Sequence, residues 1–240
     1  FKNLFRKNDI NTVAEAQIDQ AAGLFFRWLW TDSMAEIYGE FHYNDSKANL
    51  RDLFTDSDHS KAFTIGINKL FNGNKKSSFY EFKWEWTQLE QTGSRIVRDA
   101  GSWYMHYRVY DGFTNRGEVL GAGIGPGSNS QFLSLSKINE KSKIGLALEI
   151  VENDNDFYYY AFADSSDFRR YWKDYNLHIN FDKEYRKFWA SINLVYSRSL
   201  NYQWELERIN PNGSEYYYPG HDTNNFHLDF KLTIPLKVKK

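Results

Sequence analysis

The stretch FHLDFKLTI, residues 226–234, decides the fold class of this chain. Apolar and polar side chains alternate along it without an error. The apolar set is Phe226, Leu228, Phe230, Leu232 and Ile234, and the polar set is His227, Asp229, Lys231 and Thr233. A period of two residues indicates a β-strand with one wholly apolar and one wholly polar face.

The same alternation recurs along the chain. It is strong in residues 35–44, 79–88 and 200–208, and weaker in residues 22–30, 62–71, 103–110, 131–138, 143–151, 156–163, 176–182 and 188–196. Turn-forming runs such as NGNKK after Phe71 and ENDND after Val151 separate these segments. We therefore predict an all-β protein with about twelve antiparallel strands. A helical period is visible only in residues 165–175, so helix is expected to be minor.

Composition narrows the function classes. The 30 basic and 31 acidic side chains give a net charge of -1, which disfavours both nucleic acid as a partner and anchoring of the chain on anionic lipid by a basic field. Aromatic residues make up 18% of a chain that is otherwise polar, with a mean hydropathy of -0.69. No apolar run has the length of a transmembrane helix, but barrel strands alternate and leave hydropathy low. Cysteine is absent, which removes disulfides and thiolate chemistry from consideration.

Two all-β architectures fit this alternation, a soluble sandwich and a transmembrane barrel. Strands of about nine to twelve residues suit a tilted membrane crossing, and aromatic side chains crowd toward the strand ends as in interfacial girdles. We therefore predict an antiparallel transmembrane β-barrel. Phe41, Trp84, Trp204 and Phe230 are predicted to face outward, and Glu40, Glu85, Glu205 and Asp229 inward. Residues 1–19 are interpreted as a linker entering the barrel, 20–236 as the C-terminal part of the barrel and 237–240 as a basic tail.

Two segments carry a family resemblance. GFTNRGEVLGAGIGPGSNSQ, residues 112–131, follows the aromatic run SWYMHYRVYDG and contains an RG-x-x-LG turn, and residues 36–71 run from EIYGEF through LRD and DHSKA to KLF. Together these segments resemble the Wzi-type capsule assembly proteins. The resemblance implies a Gram-negative outer-membrane barrel of about eighteen strands, with a lumen closed by loops and helical elements. It also implies a lectin-like, non-catalytic protein that binds capsular polysaccharide or a related exopolysaccharide.

The resemblance sets further expectations about partners. About twelve strands in this chain would leave roughly six to precede Phe1, so the chain alone is expected to form an open sheet. The expected location is the cell outer membrane. The expected partners are the polysaccharide, outer-membrane lipid and the missing N-terminal strands of the same protein.

Candidate sugar-binding residues lie in two connections. Sugar faces stack on aromatic rings, and Tyr216, Tyr217 and Tyr218 precede His221 and Asp222 before the last strand. Arg116 would add a planar charged donor for the acidic groups of a capsule. We predict these six residues as the ligand site, with an interfacial aromatic belt as the alternative role of the tyrosines.

Other chemistries are weakly supported. The glycine-rich run 112–127 lacks the GK[ST] of a phosphate loop, so its glycines are interpreted as permitting positive φ and close approach. Asp58, His59 and Ser60 are adjacent, but triads assemble through the fold and not along the chain. His221 beside Asp222 is the only candidate for a loop ion. We predict no catalytic residue, metal or cofactor, and keep a porin-like channel for small solutes, with an acidic lumen, as the alternative function.

Overall fold

The structure of the chain, a computed structural model, describes residues 21–44, 50–55, 59–74, 77–91, 101–105, 112–162, 171–205 and 220–235. The strands in this part of the chain are β1 Ala21–Trp30, β2 Ala35–Asn44, β3 Lys61–Asn72, β4 Phe79–Gln88, β5 Thr114–Asn115, β6 Glu118–Val119, β7 Asn129–Asn139, β8 Ser142–Glu152, β9 Lys173–Glu184, β10 Trp189–Leu200 and β11 Thr223–Thr233. The helices are α1 Leu50–Thr55, α2 Asn155–Ala161 and a 3₁₀ turn at Tyr202–Trp204. Within the described ranges, no helix has both the length and the apolar character to span a membrane.

Nine of these strands form one antiparallel sheet in the order β1-β2-β3-β4-β7-β8-β9-β10-β11. Each strand pairs with the next strand of the sheet, so the topology is an up-and-down meander, and β5 and β6 form a separate small hairpin. The predicted antiparallel sheet is confirmed. The sheet is open, as expected for this chain, because the edge strands β1 and β11 do not pair with each other.

The register places an unbroken apolar row across all nine strands. Directly paired residues lie on the same face of a sheet, and the row runs Trp28, Ile37, Ile67, Trp84, Leu133, Leu148, Leu177, Tyr196 and Phe226. The next row toward the short turns contains Phe82, Leu135, Leu146, Ile179, Leu194 and Leu228. We call this side of the sheet the apolar face.

The opposite side, the polar face, carries carboxylates, amides and hydroxyls. As predicted, the apolar face includes Phe41, Trp84 and Phe230. The polar face includes Glu40, Glu85 and Asp229, also as predicted. Small side chains on the polar face are crowded, since Ser134 is 8% and Ala147 2% exposed, whereas Leu148 on the apolar face is 52% exposed. This contrast indicates that the sheet curls toward its polar face.

Three of the twelve predicted strands are wrong in their described parts. Residues 103–105 form a turn. Residues 156–161 belong to α2, which begins because the Asp154 carboxylate accepts a hydrogen bond from the backbone N–H of Phe157. The predicted strand at 200–208 is broken by left-handed backbone at Asn201, Gln203 and Trp204.

Removing these three strands also corrects the predicted sidedness of the connections. Twelve alternating strands would place the connection 112–128 at one end of the sheet and the connections 45–60, 90–101 and 165–174 at the other end. In the structure the connections 45–60, 89–128, 153–172 and 201–222 all join strands at one end of the sheet. The opposite end has short turns only, at residues 31–34, 73–78, 140–141 and 185–188. We call these the long-connection end and the short-turn end.

Candidate functional site

Part of the longest connection packs onto the polar face near the long-connection end. Its described residues, 101–105 and 112–124, are called the covering segment. Trp103, Ala62 and Leu89 form a buried cluster in which they are 9%, 3% and 4% exposed. Tyr104, Ala122 and Ile124 pack against this cluster. The covering segment is therefore held to the sheet by apolar burial.

Tyr104 organises the covering segment. Its carbonyl accepts a hydrogen bond from the N–H of Phe113 at 3.0 Å, and its hydroxyl accepts one from the N–H of Ala122 at 3.1 Å. A Cβ on Gly121 would lie 2.5 Å from the Tyr104 ring, so this contact requires glycine. The segment's hairpin turns at Arg116 and Gly117, where φ is 55° and 84°. The prediction of a geometric role for the glycines is confirmed.

A cavity of about 950 Å³ lies between the covering segment and the polar face. The sheet wall is mainly polar and includes Tyr38, Glu40, Asn68, Lys83, Glu85 and Thr87. The opposite wall is mainly aromatic and aliphatic and includes Trp103, Tyr104, Met105, Phe113, Leu120 and Ile124. Ligand pockets commonly have this size and this combination of apolar walls with a few polar groups.

Polar groups of the sheet wall are fixed by contacts across strands. The Tyr38 side chain lies over Gly66 and donates a hydrogen bond to Glu85 Oε2 at 2.5 Å. The hydroxyls of Thr64 and Thr87 are 3.0 Å apart. Asn68 Oδ1 is buried and has no hydrogen-bond partner among the described residues.

Charges along the polar face are largely paired. Glu81 accepts a hydrogen bond from the Lys143 ammonium at 2.6 Å and lies 3.3 Å from the Lys83 ammonium. Glu149 accepts a hydrogen bond from the Asn176 side-chain amide at 3.0 Å. These cross-strand pairs agree with the predicted inward position of the polar set. Of these two carboxylates, Glu149 lines the cavity, and its contact with Asn176 holds it in place.

A polar cluster ties the long connection to α2. The Gln91 N–H donates to Asp156 Oδ1 at 2.9 Å, and a hydrogen bond from Ser102 also reaches Asp156. Glu90 Oε2 accepts from the side-chain amides of Asn129 and Asn155 at 2.6 and 3.0 Å. Burial raises the pKa of Asp156 to about 6, although both hydrogen bonds to it act in the opposite direction. Asp156 thus links α2 to both ends of residues 91–102.

An aromatic cluster also lies at the long-connection end. Tyr158 is 2% exposed and stacks on Trp204 with ring centroids 6.5 Å apart, and Trp172 meets Trp204 edge-on at 5.4 Å. The predicted outward position of Trp204 is wrong, and the predicted inward position of Glu205 is also wrong, because neither residue is in a strand. The left-handed backbone at Asn201 turns this segment into the cluster.

Of the predicted ligand residues, the three that the structure describes do not line the cavity. Tyr216, Tyr217 and Tyr218 lie outside the described residues. Arg116 is exposed in the hairpin turn and does not line the cavity. The Asp222 carboxylate accepts a hydrogen bond from the Arg198 guanidinium at 2.9 Å and another from the Asn201 N–H at 3.1 Å.

The backbone of His221 bridges residues 202–205, since its carbonyl accepts from the Tyr202 N–H and its N–H donates to the Glu205 carbonyl. His221 and Asp222 therefore have observed contacts that stabilise the 3₁₀ turn. The cavity was missed from the sequence because its walls come from segments that meet only in the folded sheet.

Of the adjacent residues Asp58, His59 and Ser60, the structure describes His59 and Ser60. Asp58 lies outside the described residues, and His59 and Ser60 are buried in the turn before β3. Ser60 Oγ has no hydrogen-bond partner in the described part of the chain. Within the described ranges of the chain, no group of three or more His, Asp or Glu side chains is placed to hold a metal ion.

Comparisons with known proteins found no matching family model, no similar curated protein and no similar solved structure.

Proposed function

We propose that this chain forms part of the wall of an outer-membrane β-barrel and that its polar face binds a surface polysaccharide without catalysing a reaction. The observation that carries the proposal is the two-sided sheet. One face is apolar and exposed across nine strands, and the other holds a cavity with polar and aromatic walls. Lipid would contact the first face and the glycan the second.

Exposure of the apolar face supports a membrane environment. Leu135, Leu146 and Leu228 are 59%, 50% and 66% exposed, and their strands form a continuous surface. Soluble monomers rarely leave such a large contiguous apolar surface in contact with water. In a sandwich a second sheet would cover this face, and no described element does so. Strands of 10 to 12 residues also match a tilted bilayer crossing.

The distribution of the connections supports the same proposal. All four connections at one end are long, and all four turns at the other end are short. Outer-membrane barrels have short periplasmic turns and longer extracellular loops. The cavity would then open toward the outside of the cell, where a surface polysaccharide lies.

The chemistry of the cavity supports a glycan as the ligand. A sugar ring presents apolar C–H faces and a rim of hydroxyls. Phe113 and Met105 on the covering segment are 50% and 60% exposed and can contact such a face. Glu40 and Glu85 on the sheet line the cavity and can accept hydrogen bonds from hydroxyls.

The capsular identity of the glycan comes from the family resemblance and stays a prediction. Both segments that resemble Wzi-type proteins contribute to the cavity: Tyr38 and Asn68 come from residues 36–71, and Phe113 and Leu120 from residues 112–131. The covering segment also lies across the polar face. That position favours binding over free conduction through a lumen.

The test is retention of polysaccharide by cells that lack the native gene and carry the wild type, Phe113→Ala or Tyr160→Ala. Tyr160 is a matched control because it is aromatic, 83% exposed, at the same end and outside the cavity. With equal protein in the outer-membrane fraction, Phe113→Ala should release severalfold more polysaccharide into the medium. Tyr160→Ala should behave like the wild type.

Equal retention by all three proteins would contradict the cavity as the binding site. Absence of the wild-type protein from the membrane fraction would contradict the membrane role. Steady, large conductance of the full-length protein in planar bilayers would favour the channel instead.

A further inference from the structure

Three lysines interrupt the apolar face near the short-turn end. Lys69 lies three residues from the end of β3, Lys137 two from the end of β7 and Lys183 one from the end of β9. Their paired neighbours on the same face include Phe82, Ile144 and Ala190. The lysines therefore border the apolar surface on strands that are separated from one another in the sheet.

Each of these ammonium groups lies over an aromatic ring. The distances from Nζ to the ring centroid are 5.4 Å for Lys69 over Phe71, 5.8 Å for Lys137 over Tyr80 and 5.2 Å for Lys183 over Tyr185. Cation–π attraction holds a lysine near a ring, while its aliphatic stem covers neighbouring apolar surface. Lys69 also donates a hydrogen bond to the Ser33 carbonyl.

None of the three lysines has a carboxylate within ion-pair distance among the described residues. At the opposite end of the same face the cations are paired, since Lys173 lies 2.5 Å from Glu152 and Arg198 lies 2.9 Å from Asp222. Lys173 also lies over the Tyr171 ring, so a ring contact alone does not distinguish the two ends. The two ends differ because the three lysines at the short-turn end have no carboxylate partner among the described residues, whereas Lys173 and Arg198 do.

We infer that Lys69, Lys137 and Lys183 bind the phosphate groups of anionic phospholipid headgroups. This inference rests on the proposed membrane role of the sheet. A phospholipid supplies both chemistries found here, because its acyl chains match the apolar face and its phosphate matches the unpaired ammonium groups. The short-turn end would accordingly lie in a leaflet that contains such lipids.

The experiment uses the full-length protein folded from urea into vesicles of phosphatidylcholine or of phosphatidylcholine with phosphatidylglycerol. Protease protection reports insertion. Quenching of tryptophan fluorescence by brominated lipid reports the relative affinity for the two headgroups. The test variant is Lys69→Gln, Lys137→Gln and Lys183→Gln together. The control removes the same charge with Lys61→Gln, Lys173→Gln and Lys231→Gln, which lie at the other end or on the polar face.

The wild type and the control should prefer phosphatidylglycerol by about fivefold at sites near a lysine, and the preference should weaken as salt rises. The test variant should lose most of the preference while inserting normally. Equal preference in the wild type and test variant, or no preference in the wild type, would overturn the inference and leave the membrane role standing. Failure of the wild type to insert into either vesicle would instead overturn the proposed function. If the triple variant does not insert, the three single variants are measured, and each should show a reduced preference.

Discussion

Replacing Leu148 by arginine tests whether the apolar face lies in a bilayer. Leu148 is the β8 member of the nine-residue apolar row, and its direct neighbours are Leu133 and Leu177. Its side chain is 52% exposed. On β8 the apolar face also includes Ile144, Leu146 and Ile150, so Leu148 lies near the middle of this band.

The two environments predict different magnitudes. In a bilayer, arginine at mid-depth on the lipid face of a barrel costs about 2 to 4 kcal/mol of folding free energy. In water, a half-exposed leucine can be replaced by a polar residue within about 0.5 kcal/mol. The exposure of Leu148 makes the test selective, because the substitution opens no large cavity in a core.

The measurement is equilibrium urea unfolding of the full-length protein in vesicles, with free energies from linear extrapolation. Gln131→Arg is the matched control, since Gln131 lies on the same face one row nearer the long-connection end and is itself polar, with Trp86 and Ile150 as its direct neighbours. It should cost about 0 to 1 kcal/mol near the interface. A Leu148→Arg protein as stable as the Gln131→Arg protein would refute the reasoning.

Two further predictions concern the long-connection end. Burial raises the pKa of Asp156 to about 6 in the folded protein. Between about pH 4 and pH 6 the folded state therefore keeps a proton that the unfolded state has lost. The free energy of unfolding should fall as pH rises through this window, by up to about 3 kcal/mol. Asp156→Asn should flatten this dependence in urea unfolding at pH 4 and pH 7, and an unchanged dependence would exclude Asp156 as its source. Replacing Tyr216, Tyr217 and Tyr218 by alanine should leave insertion normal yet release polysaccharide into the medium if this connection binds the glycan beside the cavity, whereas replacing Glu81, which does not line the cavity, should leave retention intact; retention like the wild type in the tyrosine variant would contradict a role of this connection.

The sheet could be predicted because the alternation is a local signal of burial on one face. In β11, for example, Phe230 and Asp229 point to opposite sides as their positions require. The period does not depend on which strands become neighbours, so nine strands were found without any knowledge of pairing. Pairing then followed chain order, as in an antiparallel meander, although four of the eight connections are long.

Alternation alone could not identify the turns and the short helix. Residues 156–163 are rich in aromatic rings, as strands are, but the Asp154 side chain caps the first turn and starts α2. Residues 200–208 alternate perfectly, but the left-handed backbone at Asn201 and the contact of Trp204 with Tyr158 override the strand pattern. In both segments tertiary packing and capping outweighed a local preference. Each false strand also reversed the predicted direction of the strands on one side of it relative to those on the other. The long connections were therefore assigned to opposite ends of the sheet.

The cavity could not be predicted for a different physical reason. Its polar wall uses the same alternating side chains that any solvated sheet face would have, and only the covering segment turns that face into a site. Trp103 is fixed against Ala62 and Leu89, which are distant in sequence from each other. The covering segment is also tied to α2 by the hydrogen bond from Ser102 to Asp156, and its two parts are joined by Tyr104, whose hydroxyl accepts a hydrogen bond from the Ala122 N–H. An attached segment of this kind places an aromatic wall opposite Glu40 and Glu85, which line the other side of the cavity. Preorganised acceptors opposite a fixed apolar wall lower the entropic cost of holding a flexible sugar chain. This arrangement favours retention of a glycan over its passage through the barrel.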